Sequence, residues 1–102
     1  MKIRYKSAAL RDIQQKQEYI TAVLKNKPAA EKLTASILRG VSLLADNPRM
    51  GAPLRGKFEV DSDLRFLIIA KQLIFYRIEN ETQISVVRIL DGRQDYMSIL
   101  FG

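Results

Sequence analysis

The chain has 102 residues, 47% hydrophobic and 27% charged, which suits one modest core and is too apolar for a disordered segment. Its net charge of +6 is uneven: residues 1–60 carry 12 basic and 5 acidic side chains, residues 61–102 carry 5 and 6, so the basic part suits a polyanion or an acidic protein partner. Cysteine and histidine are both absent, which excludes disulfides and thiolate chemistry, removes the commonest general base near neutral pH, and leaves no metal site or cofactor to expect.

Residues 1–102 read as a single domain. The start, Met1-Lys2-Ile3-Arg4-Tyr5-Lys6, is charged throughout and has no apolar stretch behind it, and no window approaches the roughly 18 apolar residues of a membrane span. The expectation is a cytoplasmic protein with no membrane partner. Lys2 to Lys6 alternates, with Ile3 and Tyr5 on one side and three cations on the other, which predicts a short edge strand. Ser7 is a predicted N-cap for a helix from Ala8, in which Ala9, Ile13, Ile20 and Leu24 share a face and Asp12 falls outside it. That helix should stop near Asn26-Lys27-Pro28. A second helix from about Pro28 presents Ala30, Leu33, Ile37, Val41 and Leu44, with Gly40 allowing close approach of the two helices, and it ends at Asn47-Pro48. The short link predicts an antiparallel hairpin.

Residues 49–56 are rich in Gly and Pro and predict an irregular loop. Phe58-Glu59-Val60 is a candidate short strand. Three stronger strands follow, Leu64–Ala70, Leu73–Glu79 and Ile84–Leu90, with turns at Lys71-Gln72 and Asn80–Thr82; their β-branched and aromatic content favours strand over helix. The fold class is therefore α+β: an N-terminal strand and an antiparallel two-helix hairpin packed on a mostly antiparallel three- to four-stranded sheet. Asp95–Phe101 is either a terminal helical turn or an extended tail whose Tyr96, Ile99, Leu100 and Phe101 fold back or await a partner.

Each long strand carries one arginine among apolar residues. Alternation puts Arg65 with Leu67 and Ile69, Arg77 with Leu73 and Phe75, and Arg88 with Ile84, Val86 and Leu90, and Arg93 follows the last strand. Buried arginine is costly unless paired. These side chains either pair with Asp61, Asp63, Glu79, Glu81 or Asp91 and trim the sheet, or form a cationic groove for phosphate or carboxylate.

The ordered set of Ala9, Ile13, Tyr19 and Ile20, then Asn26, Pro28, Ala29 and Ala30, then Leu44, Pro48 and Gly51, resembles the RelE/ParE superfamily of type II toxin–antitoxin toxins, ParE-like branch. The segments Leu64-Arg65-Phe66-Leu67, Ile74-Phe75-Tyr76-Arg77-Ile78 and Val87-Arg88-Ile89-Leu90-Asp91-Gly92-Arg93-Gln94-Asp95-Tyr96 carry most of the likeness. The resemblance implies the fold above and a cognate antitoxin that wraps and neutralises the chain and mediates any contact with operator DNA. For the ParE-like branch it implies inhibition of DNA gyrase without chemistry. For the RelE-like branch it implies ribosome-dependent cleavage of mRNA, here by Arg93, Tyr96, Arg65 and Lys57, with a base for the 2′-hydroxyl and cations for the phosphate.

The ribonuclease pattern is depleted. Leu73 stands where the resemblance expects an arginine, Leu64, Arg65 and Phe66 stand where basic residues are expected, and no histidine is available; Gln94 departs instead from the ParE-like branch, whose members often have a second arginine there. Gyrase inhibition is therefore the leading expectation, with cleavage of mRNA and a non-toxic basic interaction domain as alternatives. The candidate residues for binding target or antitoxin are Arg65, Arg77, Arg88, Arg93, Tyr96, Leu100 and Phe101.

Overall fold

The computed structural model describes residues 1–102. In chain order it contains β1 (Lys2–Tyr5), α1 (Ser7–Glu18), a π-helical turn (Tyr19–Val23), α2 (Lys27–Ser42), a 3₁₀ turn (Leu43–Ala45), β2 (Ala52–Pro53), β3 (Arg65–Ile69), β4 (Gln72–Ile78), β5 (Gln83–Asp91) and α3 (Tyr96–Phe101). One sheet of strand order β1-β5-β4-β3-β2 runs through the molecule, antiparallel except for the parallel pair β1–β5. It has five strands rather than three or four, because β1 and the two-residue β2 both join its edges. No helix is long and apolar enough to cross a membrane.

The helical hairpin covers one face of the sheet. Ala9 and Ile13 of α1 and Ile37 and Val41 of α2 pack with Leu44 on Ile74, Tyr76, Ile84, Val86 and Ile89. The helix boundaries follow the backbone more than the expected caps. The Lys6 N–H still donates to the Val86 carbonyl at 2.9 Å while its own carbonyl accepts from Leu10, so the turn falls at Lys6 and Ser7 is already helical, without a capping bond. Asn26 caps α2 through Ala29 N–H at 3.1 Å, with Pro28 in the first turn. Gly40 lies against the sheet: a Cβ there would collide with the Ile69 side chain.

The opposite face has its own core of Leu54, Leu64, Phe66, Leu73, Phe75 and Leu90, closed by Phe58, Val60, Val87, Tyr96 and Leu100. Phe58–Val60 is not a strand. The position beside the start of β3 is taken by Ala52 and Pro53, and the segment instead turns back on Leu54, whose carbonyl accepts from Phe58 N–H at 2.9 Å. The β3–β4 turn is Ala70-Lys71, both at positive φ (51° and 67°), and Gln72 belongs to β4. The tail is a helix: Asp95 caps α3 by accepting from Ser98 N–H, and Tyr96 and Leu100 turn inward while Ile99 and Phe101 stay exposed.

One irregularity governs the site. Phe75 pairs with Arg88 but Tyr76 pairs with Val86, so Val87 is an extra residue in β5. Before the bulge Ile84 and Val86 face the hairpin; after it Ile89 does, and Leu90 faces the second core. Simple alternation, which groups Arg88 with Ile84, Val86 and Leu90, fails here.

Candidate functional site

β1 pairs with β5 as far as Tyr5–Val86, and beyond that point the outer edge of β5 has no strand beside it. Helix α1 supplies side chains in its place. Asp12 accepts from Ile89 N–H at 2.9 Å, and Lys16 Nζ donates to the Ile89 carbonyl at 2.8 Å. Asp12 is 5% exposed and also takes Arg88 bidentately, at 2.8 Å from Nε and 2.9 Å from Nη2. The hydrogen bonds that Arg88 donates to Asp12 hold its guanidinium above its ordinary range, and burial lowers Lys16. Arg88 is thus spent on holding α1 to the sheet. Its partner is Asp12, which helical spacing put outside the buried stripe and which lies 76 residues away, so no local sequence signal announces it.

The remaining arginines divide between the two faces. Arg65 lies on the hairpin side and donates to the carbonyls of Gly51 (3.0 Å) and Arg49 (3.2 Å). Arg77 lies on the other side and donates to Asp63 at 2.8 Å; that bond is the main reason the Asp63 carboxyl sits below its ordinary range. Arg93 is the exposed one, with a side chain 91% accessible. Its Nε and Nη2 reach the two oxygens of Asp91 at 3.1 and 3.2 Å, and its own N–H donates to Asp91 at 2.8 Å. Those bonds lower Asp91 to about 2. Two guanidinium donors are used, leaving three free to face solvent or a partner. Lys71, Asp91, Gly92 and Arg93 line a polar cleft of about 310 Å³. Gln72 lies opposite Asp91 in the ladder, and its buried side-chain oxygen has no hydrogen-bond partner. Lys71 lines the cleft from the positive-φ turn Ala70-Lys71, one residue earlier than the expected Lys71-Gln72.

Tyr96 is half-buried in an aromatic chain on the second face. Its ring lies 5.6 Å from Phe75 and 6.1 Å edge-on from Phe58, and Phe75 in turn lies 6.3 Å from Phe66. Lys57 Nζ sits 5.2 Å from the centre of the Phe66 ring. So Lys57 and Tyr96 share a face that Arg65 does not. Arg65 starts β3, whereas the Arg93 cleft adjoins the turn after Ile69, about 13 Å further along the strand. The four residues of the ribonuclease reading are spread over both faces and two ends of the sheet. Arg93, Tyr96, Leu100 and Phe101 instead sit in one short stretch, with Arg93 and Phe101 outermost (Phe101 is 45% exposed).

Comparison with known proteins agrees with this architecture. No curated protein sequence matches the chain significantly. A chain in a solved structure described as the chromosomal ParDE TA system from P. aeruginosa superimposes with a TM-score of 0.73 at 22% identity, covering 89% of this chain and 95% of that one. That likeness establishes the fold. The model of the ParE toxin of the type II toxin–antitoxin system parDE matches residues 3–96, nearly the whole length described above, and the chain therefore belongs to the ParE toxin family.

Proposed function

We propose that this ParE-type toxin acts by binding and inhibiting DNA gyrase inside the cell, performs no chemistry of its own, and is neutralised by its cognate antitoxin, through which any operator DNA is met. The observation that carries the reading is the dispersal of Arg93, Tyr96, Arg65 and Lys57. RNA cleavage needs a base and phosphate-stabilising cations within about 3 Å of one reacting group, and Arg65 is engaged with loop carbonyls on the hairpin side of the sheet. The target contacts in this reading are the free donors of Arg93 and the exposed apolar surface of Phe101, with Tyr96 and Leu100 holding α3 in place. Arg65, Arg77 and Arg88 act as framework, because each is partly buried against its partner, whereas the Arg93 side chain is 91% accessible.

The test is purified toxin added to gyrase and relaxed plasmid. Inhibited supercoiling with accumulation of cleaved DNA is expected, reduced at least tenfold by Arg93→Ala with the fold intact. Unaffected gyrase at large toxin excess, together with codon-positioned cuts in messages on translating ribosomes, would overturn the reading in favour of RNA cleavage.

A further inference from the structure

One side of β3 has no neighbour beyond its first two residues. β2 pairs with Arg65 and Phe66 alone, and Leu67–Ile69 make no hydrogen bond outside the ladder with β4. Backbone direction alternates along a strand. The Leu64 carbonyl accepts from Leu54 N–H at 2.9 Å on the β2 side, so the N–H and C=O of Ile68 face that side as well. There they meet nothing. The Ile68 side chain is 64% exposed although Leu73, opposite it in β4, is buried. Natural sheets blunt such an edge with charge, proline or a bulge, and Leu67-Ile68-Ile69 carries none of these.

The surroundings are strongly basic. Arg39 adjoins Gly40, the residue pressed onto Ile69. Arg49 and Arg65 meet at the start of β3, Lys71 occupies the turn at its end, and Lys57 lies over the Phe66 ring. Among carboxylates of the flanking segments, Asp61, Asp63 and Asp91 are paired with Arg55, Arg77 and Arg93, while Asp46 and Glu59 are exposed and have no cationic partner.

We propose that the free edge at Leu67–Ile69 receives an extended, acidic segment of the cognate antitoxin by strand addition. Ile68 exchanges N–H···O=C bonds with that segment. An apolar residue of the segment covers the Ile68 side chain, and its acidic neighbours reach the flanking cations. Main-chain pairing supplies affinity and charge supplies selectivity. A second copy of this chain fits poorly, since it would bring two basic edges together. The proposal rests on the toxin–antitoxin reading and is independent of the target, so no arm of its test uses gyrase.

The experiment takes the full-length product of the reading frame adjoining the toxin's and measures amide hydrogen exchange of the toxin, free and in complex. The Ile68 amide should exchange rapidly in the free chain and at least 100-fold more slowly in the complex. Ile68→Pro removes an N–H that the fold does not use, a position where an edge strand tolerates proline. It should weaken antitoxin binding at least tenfold, and raised salt should weaken binding by the unsubstituted chain. Lys32→Ala, on the exposed face of α2, should bind as the parent does. Equal exchange at Ile68 in both states would overturn the proposal, as would parental affinity in a folded Ile68→Pro variant. Protection of Ile68 in a self-associated free toxin would overturn it in favour of a second copy. Should Ile68→Pro fail to fold, Ile68→Lys and the exchange data on the unsubstituted complex still decide.

Discussion

Replacing Asp12 by alanine tests the tie between α1 and the outer edge of β5. Asp12 is 5% exposed and accepts three hydrogen bonds, two from Arg88 and one from Ile89 N–H. Breaking a buried ion pair from one side costs about 3–5 kcal/mol, because the remaining charge is left uncompensated. The Arg88 side chain is 28% exposed, so it rehydrates in part and the value falls toward the lower limit. The orphaned Ile89 N–H adds about 1 kcal/mol. The sum, about 4 kcal/mol, is a large part of the roughly 5–15 kcal/mol that holds a domain folded. At about 4–8 °C per kcal/mol it lowers Tm by roughly 16–32 °C. Asp12→Asn keeps the shape and an acceptor for Ile89, and should lose about half as much. The double variant Asp12→Leu with Arg88→Met removes both charges and should cost less than the two single changes added, by about 1–3 kcal/mol. Denaturant unfolding followed by circular dichroism reads each value. A cost below about 1 kcal/mol for Asp12→Ala, or simple additivity in the double variant, would refute the reasoning.

Tyr76→Phe should destabilise by about 1.5–3 kcal/mol in the same assay, because the buried hydroxyl donates to the Pro48 carbonyl at 2.8 Å and accepts from Gly51 N–H at 2.9 Å. Gly51→Ala should cost about 2–3 kcal/mol, since its Cβ would lie 2.6 Å from the Phe66 carbonyl oxygen and 2.7 Å from the buried Tyr76 ring. Lys71→Gly, which relieves a φ of 67°, should stabilise by about 1 kcal/mol, and a fall in Tm would contradict it. The Asp91 carboxyl, lowered by Arg93 to about 2, favours the folded state above the ordinary carboxylate range. That contribution should vanish as pH falls from about 4 to 2. Arg93→Ala should return the Asp91 midpoint toward its ordinary value in an NMR titration, and an unmoved midpoint would show the pair to be absent in solution.

The hairpin and the three long strands were legible because their information is local. Ala30, Ile37, Val41 and Leu44 recur at helical spacing, and the β-branched runs around Phe66, Ile74 and Val86 are cut by short polar turns. What was not legible depends on contacts between distant segments. Asp12 reads as a solvated helix residue until Arg88 and Ile89 are beside it. β2 is two residues of a Gly- and Pro-rich loop, and its pairing with β3 has no periodicity to show. Both faces of β5 are apolar, so alternation gave no warning that Val87 is supernumerary. Of the arginines, the Arg77–Asp63 pair was among the pairings foreseen, whereas Arg65 is held by loop carbonyls, which no charge pattern reveals.

The bulge at Val87 also bears on which changes of chain length this fold can absorb. Every residue from Arg88 to Asp91 keeps its partner in β4 if Val87 is removed, because Arg88 and Val86 already face neighbouring positions, Phe75 and Tyr76. A one-residue deletion at that point shortens the chain without sliding the ladder. The same deletion at Ile74 or Phe75 has no slack to consume and shifts one half of β4 against both of its neighbours. β5 therefore holds a spare register position midway along the sheet, where loss of a residue is a local repair and not a loss of topology.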